Sequence, residues 1–252
     1  MRINHLFLAA MLVPGATVEA QPVPAIQRSL PAANRNSESG QASRANIRWT
    51  WYEEGFVGDD MTVGQPGERW VLERVTVWTV PGGKDAGDPD FLGDLYRDVR
   101  LYFGSENDGL SPVSVGGLEP GSNQPSNPLI RIREARDPSG LVYYDEFGAQ
   151  LRVWEVEFSG LNLTVEGGRS YLFGAFGLGR PIPGEAQHIY PWFNHASNAR
   201  LSDVPAPGSD GRLRLFRGSG QTGDVFVSTG NGWDKDCDIN VEVVARKLES
   251  AQ

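Results

Sequence analysis

One cysteine, three histidines and three methionines stand among 252 residues. A lone thiol, Cys237, excludes a disulfide within the chain, so stability has to come from a packed core, helped or not by a bound ion. No run after the first twenty residues approaches the ~20 apolar residues that a membrane-spanning helix needs. No segment keeps a helical apolar period over three turns, and only Val244–Ser250 offers a short terminal helix. The nucleophile elbow Gly-x-Ser-x-Gly and the zinc motif His-Glu-x-x-His are both missing. A basic excess is missing as well. The net charge of −9 repels phosphate, which argues against nucleic acid or an anionic membrane as a partner.

What is present begins with an export signal. Arg2 and His5 open the chain, Leu6–Val13 is apolar, and Pro14 and Gly15 break the run. Val18-Glu19-Ala20 then sets small or β-branched residues where a signal peptidase reads, with Gln21 as the new N-terminus. Residues 1–20 are therefore read as a signal peptide, and the mature chain as secreted or periplasmic. Its removal leaves about 230 residues, a size at which all-β sandwiches commonly fold as one domain. Residues 21–45 hold Pro, Ser, Asn, Gln and Ala with few large apolar side chains, which predicts a disordered leader. The folded domain is expected over 46–248.

Inside those limits one theme recurs: short runs with a period of two, rich in β-branched and aromatic residues. They fall at Ile47–Tyr52, Arg69–Val80, Asp98–Phe103, Leu129–Glu134, Leu151–Phe158, Leu161–Val165, Ser170–Phe176, His188–Phe193, Arg212–Phe216, Val225–Ser228 and Ile239–Ala245. Leu151–Phe158 sets Trp154, Val156 and Phe158 on one side and Glu155 and Glu157 on the other. Thirty-one glycines and 17 prolines supply the turns between runs. Half-buried strands joined by turns predict an all-β fold, an antiparallel sandwich of jelly-roll type.

Four features could carry chemistry. Asp85, Asp88 and Asp90 lie in a Gly-containing acidic loop, and oxygen ligands spaced by small residues suit Ca2+. Asp234, Asp236 and Asp238 alternate just before the last strand, a partial Ca2+-loop pattern without its later Gly and bidentate Glu. For both acidic segments the competing reading is a solvated loop or a turn cap. His188, Tyr190, Trp192 and His195 concentrate aromatic rings and two histidines within eight residues, which suits stacking against a sugar ring, against the ordinary fate of core packing. Glu155 and Glu157, two apart on a strand, sit roughly 6.5–7 Å apart along the chain. That spacing could frame a glycoside, although outward Glu is also the default of a solvated sheet face. Asp145 and Glu146 are looser candidates of the same kind.

Val75-Thr-Val-Trp78, Asp98-Val-Arg-Leu-Tyr-Phe-Gly104, Leu163-Thr-Val-Glu-Gly-Gly-Arg-Ser-Tyr171 and Gly232-Trp-Asp-Lys-Asp-Cys-Asp-Ile-Asn-Val241 together resemble uncharacterised exported bacterial β-sandwich proteins, over most of residues 47–245. The resemblance implies a jelly-roll-like fold and carries over no activity and no functional residue. The functional expectation is a secreted, non-catalytic module that binds glycan or protein, with structural Ca2+ as an option. The alternatives are a carbohydrate-active enzyme, hydrolase or lyase, and a surface or structural assembly component.

Overall fold

Side-chain alternation decides the architecture. Successive residues of a strand point to opposite faces, so a period of two gives each strand one face that has to be covered. A computed structural model describes residues 21–28, 49–50, 56–81, 89–135, 143–144, 150–185, 188–197, 213–216, 224–226 and 238–249. In chain order these form β1 (Val23–Arg28), β2 (Trp49–Thr50), β3 (Phe56–Thr62), β4 (Arg69–Pro81), the one-turn helix α1 (Leu92–Leu95), β5 (Tyr96–Ser105) and β6 (Gly109–Gly117). There follow β7 (Ile130–Ala135), β8 (Tyr143–Tyr144), β9 (Gln150–Leu151), β10 (Val153–Glu166), β11 (Ser170–Gly179) and β12 (Trp192–Asn194). The last are β13 (Ala196–Ser197), β14 (Leu213–Phe216), β15 (Asp224–Phe226), β16 (Asp238–Ile239) and β17 (Val241–Leu248).

Two antiparallel sheets stack as an all-β sandwich. The first runs β1-β17-β4-β10-β7, with β12 on β4 and β2 on β12; the second runs β15-β14-β3-β11-β5-β6. Val75 and Val77, Val156 and Phe158, and Val241 and Val243 fill the inner face of the first sheet, each 1 % exposed or less. Val99, Leu101, Phe173 and Ala175 answer them from the second. Gly177 lets the sheets approach at Trp192, whose ring atom would lie 2.6 Å from a Cβ placed there. The second sheet also carries an aromatic layer on the face opposite Phe173. Phe56, Tyr102, Phe176 and Phe216 pack there with ring centroids 4.9 to 5.6 Å apart, over a floor made by Gly58 and Gly174.

The two ends of the sandwich differ. Arg69 of β4, Leu248 of β17 and the start of β1 lie at one end, because Leu248 pairs with Arg69 and Val23 with Ala245. Pro81 of β4, Trp192, Gly179, Tyr96 and Gly117 lie at the other. We call this second one the loop end.

Two expectations change. The leader read over 21–45 starts as a strand: β1 pairs along β17, and Ile26, 4 % exposed, enters the core. Pro24 is tolerated because an outer strand has no partner for the missing N–H. The composition of the segment hides this because one isoleucine anchors it. The short helix offered by Val244–Ser250 is strand to Leu248, since Val241, Val243 and Ala245 keep a period of two and are fully buried. Tertiary packing overrides a weak local preference here. Among the described residues no helix is long and apolar enough to cross a membrane.

Candidate functional site

The loop end is anchored by the buried Leu92, Leu95 and Leu118 and shaped by hydrogen bonds to backbone. Asn123 grips the chain on both sides of Phe91: its Oδ1 accepts the Leu92 N–H at 2.7 Å and its Nδ2 donates to the Asp90 carbonyl at 3.3 Å. The Gly93 N–H donates to the Ser122 carbonyl and the Gly121 N–H to Asp94 Oδ1. This approach requires glycine, because a Cβ on Gly93 would sit 2.0 Å from the Glu119 carbonyl oxygen. Arg180 locks a third segment onto the first two. Its Nε donates to the Gly93 carbonyl at 2.7 Å and its Nη2 to the Leu118 carbonyl at 2.6 Å. Its own N–H donates to Leu95 and its carbonyl accepts from Tyr190. Charge-assisted bonds of this kind are the stronger ones. Below them the buried Tyr96 hydroxyl donates to the Pro191 carbonyl at 2.7 Å. Burial pushes this phenol far above its ordinary range, which keeps it a neutral donor.

The predicted ligand-binding segment runs from this surface into the core. His188 is exposed, with Nδ1 2.6 Å from Glu185 Oε2, and Tyr190 is half-buried. Trp192 is 1 % exposed; its Nε1 donates to Asn194 Oδ1, and its ring meets Tyr96 edge-on at 5.1 Å. His195 is fully buried, with Nδ1 2.7 Å from Asn240 Oδ1, so this nitrogen carries the hydrogen. The four residues therefore do not share a ligand-facing surface. His188 and Tyr190 border the loop end; Trp192 and His195 pack inside.

Of the predicted metal ligands, Asp85, Asp88, Asp234 and Asp236 lie outside the described residues. Asp90 accepts from Arg152 Nη1 at 2.7 Å. Asp238 is fully buried and pairs with Ser197, two residues along the chain from His195, which itself faces Asn240. Around them lie Asp59, Asn194 and Asn240, all 1 % exposed or less. Asp59 accepts from the N–H groups of Asp60 and Ile239, the Asn240 N–H donates to the His195 carbonyl, and Asn194 Nδ2 donates to the Val57 carbonyl. Buried polar groups persist where they are hydrogen-bonded, and these bonds tie the last strands to the inner face of β3. Two residues singled out in separate segments thus meet in one buried polar centre. Its other members were missed. The available signal was a polar residue at an inward position of an apolar alternation, as in Val57-Gly-Asp59-Asp-Met61. Among the described residues, no group of three or more His, Cys, Asp or Glu converges as a metal site.

The carboxylates considered as a catalytic pair belong to a charge ladder. Glu155 lies 2.6 Å from Arg133, and Glu157 3.7 Å from Arg74, which also reaches Glu242 at 3.2 Å. Opposite charges facing one another across strands stabilise a sheet surface. Asp145 and Glu146 lie outside the described residues. No family model, curated protein or solved structure matches the chain.

Proposed function

We propose that the chain is an exported, non-catalytic β-sandwich module that binds a glycan or a protein through its loop end, in the periplasm or outside the cell. The observation that carries this reading is the loop end itself. Asn123 and Arg180 hold three chain segments in fixed relative positions with bonds to backbone, and polar side chains such as His188, Glu185 and Asp90 border the surface so formed. Binding sites gain from such preorganisation, because less freedom is lost on association. Glu155 and Glu157 favour the non-catalytic form, since arginines hold both in a surface ladder. Calcium enters the proposal as a structural ion at the acidic run that ends in the buried Asp238.

The test is a glycan array probed with the mature chain, followed by incubation of any retained glycan with the protein and analysis of the products. Retention without cleavage is the expected result. Shortened or unsaturated oligosaccharide products would replace this reading with a hydrolase or lyase.

A further inference from the structure

Four large apolar side chains are exposed among the described residues: Val23, Phe91, Val115 and Leu129. Phe91 is the aromatic one of these four, 40 % exposed, whereas Tyr96, Trp154 and Trp192 are buried. It is also the residue whose flanking peptide groups Asn123 holds from both sides, at Leu92 and at Asp90. Asp94 donates its N–H to the Phe91 carbonyl itself, at 3.1 Å. The exposed ring therefore stands on a backbone fixed at three points. Fixing it removes in advance much of the freedom that a ligand contact would otherwise have to remove.

We propose that Phe91 is the stacking ring of the loop-end site and that it receives a pyranose ring of a neutral glycan. This inference rests on the binding-module reading and narrows it to one ligand class. A phenyl face accommodates the CH face of a sugar. The neighbouring Asp90 and Arg152, with side chains 73 % and 31 % exposed, and the exposed Gln124 supply donors and acceptors for hydroxyls. The chain's charge of −9 disfavours anionic polysaccharides. A protein partner would call for a continuous apolar core to its interface. The other three exposed apolar residues lie in β1, in β6 and just before β7, and none adjoins Phe91 in the chain.

The experiment titrates the isotope-labelled mature chain with cellohexaose, xylohexaose and chitohexaose and follows backbone amide shifts. At least one of them is expected to move Leu92, Gly93, Ser122 and Asn123. Phe91→Ala is expected to weaken that oligosaccharide by about tenfold or more, the effect of losing an anchor, with the remaining spectrum unchanged. Phe91→Tyr keeps a ring and is expected to keep binding. Asn123→Ala keeps the ring but releases its backbone, and should weaken binding less than Phe91→Ala does. If a probe binds Phe91→Ala as tightly as wild type, or shifts amides elsewhere, the inference falls and the module reading stands. If none of the three binds wild type, the inference also falls, and the module reading then rests on a protein ligand.

Discussion

Glu68 sits in the connection from β3 to β4, opposite the loop end, where its carboxylate is held by three donors. Lys247 Nζ reaches it first, then the Gln65 N–H at 2.8 Å and Trp70 Nε1 at 3.0 Å. These hold its pKa down to about 2 against an ordinary 4.5. A depressed carboxyl contributes stability that is complete above its unfolded value and is lost as pH falls toward the folded one. Glu68→Gln is therefore expected to lower the urea midpoint at pH 7, with the two proteins converging as pH falls from about 4.5 to 2. The difference should shrink in salt, because the group lies at the surface. Gly58 is constrained in another way. A Cβ there would meet the Phe173 carbonyl oxygen at 2.1 Å and the Phe216 ring at 2.5 Å, so backbone and ring would both have to move. Overpacking of this kind costs about 1–3 kcal/mol, and Gly58→Ala is expected to lose that much in denaturant unfolding.

At the scale of the element, β1 shows how a strand is held by one side chain. Ile26 is its buried large residue, whereas Val23 is 44 % exposed. Ile26→Ala removes about 2 kcal/mol or more of packing, at the low end for a core truncation because an outer strand can settle inward. Urea unfolding measures the loss, and hydrogen exchange should show β17 amides losing protection first. The same strand marks where sequence reading fails. Long alternating runs such as Trp154–Phe158 are legible because many residues repeat one signal. A strand that depends on a single isoleucine among Pro, Gln and Ala repeats nothing. The loop end is legible in part: the sequence singles out His188 and Tyr190, and the structure places both at its border. It does not single out Asn123, Arg180 and Phe91, because Asn123 and Arg180 act through bonds to backbone 31 to 87 residues away in the chain. No local pattern encodes a partner at that distance.

At the scale of the whole molecule, stability has to be explained without a disulfide, since Cys237 is alone. The core joins both sheets, and the polar centre at Asp59, His195 and Asp238 adds a hydrogen-bonded link between β3 and the last strands. Within the proposed reading a structural ion would add to this. Calcium returned to EDTA-treated protein is expected to raise the melting midpoint, since an ion bound to the native state alone must stabilise it. An unchanged midpoint removes the ion and leaves the module. The period-two pattern predicted this architecture correctly because burial on one face is a property of every strand at once. The pairing of the His195 segment with the Asp238 segment was hidden, because it depends on β13 meeting β16 across more than forty residues.

The sandwich is polar in the directional sense. β1 starts and β17 ends beside Arg69, whereas Phe91, Asn123 and Arg180 lie beyond the opposite ends of the strands. Any attachment made through either of those chain ends, to a bead, a fluorophore or a neighbouring domain, would leave the loop end facing outward. β1 and β17 are also antiparallel neighbours, so a short linker could join Leu248 to Val23. A circular permutant closed there and opened between β1 and β2 would keep every described strand pairing.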